Sequence, residues 1–122
     1  MQVYPDANIA QAGGRIAAIR VSYAHLVQTF GEPNAPAEQL DPDKVSAEWL
    51  LATSEGPARV YNWLPDTGYQ PAETTTCWHI GGARTEVVSP IAQALNVSAH
   101  IYWWDPQQKQ IIDTTVSFGQ RF

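Results

Sequence analysis

The chain has 122 residues, a length that one domain fills, and its seven Lys and Arg against twelve Asp and Glu leave a net charge of −5. That surplus of acid argues against a nucleic-acid groove binder, which needs a basic patch to displace counterions from phosphates. An apolar content of 44% is too high for a disordered chain. No apolar run approaches the roughly 18 residues of a membrane span. The opening MQVYPDANIAQAGGR has neither a basic n-region nor a long apolar h-region, so a secretory signal is not expected. The lone Cys77 leaves no internal disulfide and no paired-cysteine zinc framework, which suits a reducing cytoplasm. Against only 16% charged residues stand five tryptophans and five tyrosines, and what these rings do is the question the chain poses.

Residues 1–14 are polar, contain glycine and show no periodicity, and so read as a loose arm. IAAIRV (16–21) reads as a strand or an extended lead-in. Ser22 then stands as an N-cap, with Gly31 as the C′ residue and Pro33 beyond, and Tyr23, Leu26, Val27 and Phe30 line one face of the helix between. EPNAPAEQLDPDK (32–44), with Pro33, Pro36 and Pro42, is a connecting loop. VSAEWLLATS (45–54) predicts a strand, Glu55-Gly56-Pro57 a turn, and RVYNWL (59–64) its hairpin partner. PDTGYQPAE is a second loop, and TTTCWHI (74–80) a third strand running into Gly81-Gly82. The second helix has two possible starts. Thr85 as N-cap leaves Pro90 inside; Ser89 as N-cap with Pro90 at N1 is cleaner, giving a turn over 83–88 and a helix from Pro90 to Leu95. SAHIYWW (98–104) and QIIDTTVSF (110–118), joined by Asp105-Pro106-Gln107-Gln108, alternate with period two and form a closing hairpin over 98–118. The sum is one α+β domain: an antiparallel sheet of about five strands with two short helices on one face.

Chemistry is sparse. Cys77 and His79 lie two apart on a strand and share a face, which suits a thiol with a base or half a metal site. Free cysteines are usually buried for packing, and no further ligand stands at the right spacing. No nucleophile elbow, P-loop, dinucleotide fingerprint, zinc-protease helix or calcium loop occurs, so neither an enzyme nor a cofactor is expected. In Trp78-His79-Ile80-Gly81-Gly82-Ala83-Arg84 the two glycines let backbone approach a ligand, and Arg84 suits a phosphate or carboxylate. The plainer role of Gly81 and Gly82 is a tight strand-to-helix turn. Glu38, Asp41 and Asp43 belong to a local run from Glu32 to Lys44 of charge −3, either a solvated loop or a surface for a basic partner. Trp49 reads as core. Tyr102, Trp103 and Trp104 are consecutive, so a strand sends them to both faces, and Tyr102 and Trp104 share the face of His100. An exposed ring there marks a contact surface for a second copy, a partner protein or a stacked base.

Four motifs in order, SYAHLVQTFGEPN (22–34), KVSAEWLL (44–51), RVYNWL (59–64) and TCWHIGG (76–82), resemble a family of small bacteriophage-encoded proteins of unassigned function, over residues 22–95. The long N-terminal arm and the hairpin 98–118 depart from that family's pattern. The resemblance implies an accessory protein working in the host cytoplasm and carries over no catalytic residue. The function expected is non-enzymatic binding: a counter-defence inhibitor of the anti-CRISPR kind that occludes a host defence protein. The alternatives are a protein that sequesters a nucleotide signal with the Gly-Gly-Ala-Arg turn and aromatic rings, and a virion or assembly component.

Overall fold

The computed structural model describes residues 3–9 and 13–117. Seven strands form one antiparallel sheet: β1 (Val3–Pro5), β2 (Arg15–Arg20), β3 (Glu48–Thr53), β4 (Gly56–Tyr61), β5 (Cys77–Gly82), β6 (Ala99–Asp105) and β7 (Gln110–Val116), in the order β1-β3-β4-β5-β2-β6-β7. The mostly antiparallel α+β architecture agrees with the sequence, but about five strands was too few. The residues read as a loose arm include β1, whose Val3 is fully buried and pairs with Thr53. IAAIRV proves to be the strand rather than the lead-in: residues 16–20 lie in β2, which sits centrally between β5 and β6. The register of β2 against β5 slips between Arg15 and Ala17. This bulge puts Ile16 and Ala17 both into the core while Arg15, opposite Gly81, stays on the other face.

Helices α1 (Tyr23–Phe30) and α3 (Val88–Leu95) cover one face. Ser22 caps α1 as its sequence says, its hydroxyl accepting from the His25 N–H at 3.0 Å. Leu26 and Phe30 turn inward, and Gly31 ends the helix at φ 82°. Two indoles fasten this helix to the sheet. Trp49 Nε1 donates to the Gly31 carbonyl at 2.8 Å and Trp78 Nε1 to the Val21 carbonyl at 3.0 Å, one at each end. The two rings meet edge to face, 5.4 Å between centroids and 76° between planes, with Tyr23 packed against both.

The second helix starts at Val88 after a 3-10 turn over Thr85–Val87, two residues before the expected Pro90, and Ser89 does not cap it. Pro90 is the third helical residue, where its missing N–H would have had no intrahelical partner. The loop PDTGYQPAE is also partly helical: Leu64–Thr67 forms a short helix α2, and Ala72–Thr74 a 3-10 turn. The hairpin of β6 and β7 pairs as far as Val116; Phe118, which the sequence adds to it, lies outside the described residues.

Beyond the end of β1, the edge of β3 is closed by side chains. Asn34 accepts from the Leu50 N–H at 2.6 Å and donates to the Leu50 carbonyl at 3.0 Å. Buried Asn62 likewise accepts from the N–H groups of Ser46 and Ala47, both at 3.0 Å, and donates to the Ser46 hydroxyl at 2.8 Å. Every polar atom of that amide oxygen and nitrogen pair therefore has work to do inside the protein.

Trp78→Ala is expected to cost about 3–5 kcal/mol in urea denaturation, since it removes a fully buried ring and an anchor of α1. Trp104→Ala, on the exposed face, should change stability by less than about 0.5 kcal/mol.

Candidate functional site

Strand alternation gives the sheet two unlike faces. Trp49, Val60, Trp78, Ile80, Ile19 and Ile101 lie under α1 and α3. The opposite, outer face carries Glu48, Arg59, Tyr61 and His79 on the neighbouring strands β3, β4 and β5 and, across β2, His100, Tyr102 and Trp104 on β6. A cleft of about 520 Å³ opens on it, lined by Gly14, Arg15, Arg59, Tyr61, Trp63, Asp66 and His79.

Arg59 organises this cleft. Its guanidinium lies 3.8 Å from the Tyr61 ring centroid, donates to Glu48 Oε1 at 3.1 Å, and donates to the Gly13 carbonyl at 3.1 Å. Its Nε is buried without a partner. The side chain crosses the strands only because Gly81 has none: a Cβ there would stand 2.8 Å from Arg59 Cγ and 2.8 Å from the Gly13 carbonyl oxygen. Burial raises the Glu48 carboxyl above the ordinary glutamate range, against the opposing pull of the Arg59 charge and hydrogen bond. Tyr61 is raised by burial in the same way, opposed by Arg59 and Arg15.

His79 stands beside this pair, edge-on to Tyr61 at 5.4 Å and near-parallel to Trp63 at 6.4 Å and 18°. Asp66, from α2, brings its Oδ2 to 3.3 Å from His79 Nε2. Burial, joined by the Arg15 charge, holds the His79 imidazole below its usual range, and Asp66 only partly restores it. The environment therefore favours the neutral imidazole over the charged one.

The residues singled out from sequence divide sharply. His79 lines the cleft, while Trp78, its neighbour, is fully buried and anchors α1, which removes it from any contact role. Gly81 and Gly82 are not a strand-to-helix turn but the last two residues of β5, paired with Arg59 and Ala58. Their bareness makes room for Arg59 and for Val87. Arg84 reaches away to Glu55 and Glu86, each 3.7 Å off, and donates to the Glu55 carbonyl at 3.3 Å, so no anion cradle forms with the glycines. Cys77 shares the face of His79 but is exposed rather than packed. Tyr102 and Trp104 are 46% and 53% exposed, with Ile111, the register partner of Trp104, at 46%. Glu38, Asp41 and Asp43 are all exposed, Asp41 being occupied in accepting from the Asp43 N–H at 3.1 Å.

Sequence reading missed Arg15, Arg59, Tyr61, Trp63 and Asp66 as site residues. The alternation of Arg59 and Tyr61 along β4 was the available signal, but it becomes a site only once β5 and the bulged β2 are laid beside it.

Two outcomes test this geometry. Gly81→Ala should destabilise by about 1–3 kcal/mol in chemical denaturation, because Arg59 and the Gly13 backbone must both give way. An NMR titration of His79 should give a midpoint below its ordinary 6.5, and Asp66→Asn should lower it further. The folded state then binds protons less readily than the unfolded one. Stability from this histidine is complete above 6.5 and lost as pH falls below it, a loss that His79→Gln should abolish.

No family model matches the sequence, and no curated protein or solved structure matches it significantly.

Proposed function

We propose that this chain is a non-enzymatic accessory protein of bacteriophage kind that binds and occludes a host immune effector in the host cytoplasm, in the manner of an anti-CRISPR inhibitor. The observation that carries the binding half is the patch of Tyr102, Trp104 and Ile111 on the outer face of the β6–β7 hairpin, three large apolar side chains about half exposed. Large rings left in water are costly for solubility and are the side chains that dominate contact energies when a partner buries them. The exposed acids Glu38, Asp41 and Asp43, in the loop before β3, offer negative charge to a basic partner. The resemblance of the four motifs to small phage proteins is what suggests the setting. A virion component would use the same rings against other copies or other structural proteins.

The test is plating efficiency of a sensitive phage on hosts with defined CRISPR systems, with and without this protein. Expression should restore plating by at least tenfold on one of them. Trp104→Ala and Tyr102→Ala should abolish the protection with melting temperatures unchanged. Protection that survives both substitutions would remove the hairpin as the contact, and no protection in any immune host would overturn the counter-defence reading.

A further inference from the structure

We propose that the cleft between Arg15, Tyr61, Trp63, Asp66 and His79 is a binding site for a mononucleotide or a ligand of that chemistry, an anionic group joined to a planar, N–H-bearing ring. The cleft is separate from the hairpin patch, since β2 lies between β5 and β6, and the proposal stands without the partner reading.

Charge is the first support. In a chain of net −5, three of the seven cations stand here against two acids, Glu48 and Asp66: Arg59 on Tyr61 and Arg15 on the cleft wall, with Lys44 beside the cleft, its ammonium 5.9 Å from the Trp63 centroid. Arg59 engages its terminal nitrogens with the Gly13 carbonyl and Glu48, leaving only the buried Nε unpartnered, so it acts chiefly as a fixed positive charge beside the cleft. Arg15 is different. It is exposed, and among the described residues it enters none of the ion pairs. A phosphate or carboxylate can take its guanidinium fork without displacing anything.

Ring chemistry is the second. Trp63 and His79 both line the cleft with planes only 18° apart, and neither ring is fully buried. A cationic guest is disfavoured, because Arg59 and Lys44 already occupy the attractive positions over Tyr61 and Trp63. A nucleobase is neutral, planar and sequence-tolerant as a stacking partner. Third, Asp66 is 66% exposed at the rim and accepts only, so it selects a guest that also donates, as an exocyclic amine or a ribose hydroxyl does. A volume of about 520 Å³ is ample for one nucleotide.

Isothermal calorimetry with the four common ribonucleoside 5′-monophosphates, adenosine and inorganic phosphate tests the site on the intact chain. At least one monophosphate should bind, with inorganic phosphate and adenosine at least tenfold weaker than the best of them. Arg15→Ala should weaken the monophosphate at least tenfold and leave its parent nucleoside unchanged, whereas Trp63→Leu should weaken both. Unaltered amide NMR spectra outside the cleft would establish that each variant is folded; His79→Gln serves as the replacement probe of ring contact if Trp63→Leu is not. Absence of heat with all four monophosphates, phosphate binding as tight as any nucleotide, or indifference to Arg15→Ala would each overturn the proposal.

Discussion

Two indole N–H groups decide how this molecule is layered. Trp49 and Trp78 reach from β3 and β5 to the carbonyls on either side of α1, Gly31 and Val21, and their rings meet edge to face beneath the helix. A buried indole must have an acceptor. Here the acceptors are backbone groups at helix margins, which themselves need donors once they leave water. Each bond therefore satisfies both partners and fixes the helix along its length. With α1 held and α3 burying Ile91 and Leu95 beside it, one face of the sheet is filled.

The outer face follows from this by strand alternation. Neighbours of the anchoring tryptophans along each strand, Glu48 beside Trp49 and His79 beside Trp78, are forced to the other side. There the protein builds a second, polar layer around Arg59, whose stem fits over Gly81 and whose charge is shared among Glu48, Tyr61 and the Gly13 carbonyl. Half of the outer face is thus organised by charge and ring stacking. The other half, on β6 and β7, is left with Tyr102, Trp104 and Ile111 in water. The two halves present different chemistry, one a cleft of charged groups and rings, the other an apolar patch in water.

Local signals were legible in α1 and in the closing hairpin, though the Ser89-Pro90 pair misplaced the start of α3, which begins at Val88. Ser22, Gly31 and the spacing of Leu26 and Phe30 specify α1, and period-two alternation separates Trp103 from Tyr102 and Trp104. What sequence hid was relational. Gly81 and Gly82 look like a turn because glycine is permissive, yet they are strand residues kept small for Arg59 and Val87. Arg84 looks free until Glu55 and Glu86 meet it. β1 is three residues long and has no periodicity of its own; its place is set by pairing with β3. The cleft needs residues from β2, β4, β5 and α2 at once, so no window of sequence could display it.

Residue-resolved hydroxyl-radical footprinting of the free protein at low concentration tests the division into a packed face and an exposed face most directly. Tyr102 and Trp104 should oxidise rapidly, and Trp49 and Trp78 should be protected to the extent expected of fully buried rings. Protection of Tyr102 and Trp104 equal to that of Trp49, or ready oxidation of Trp78 in the folded protein, would contradict the account.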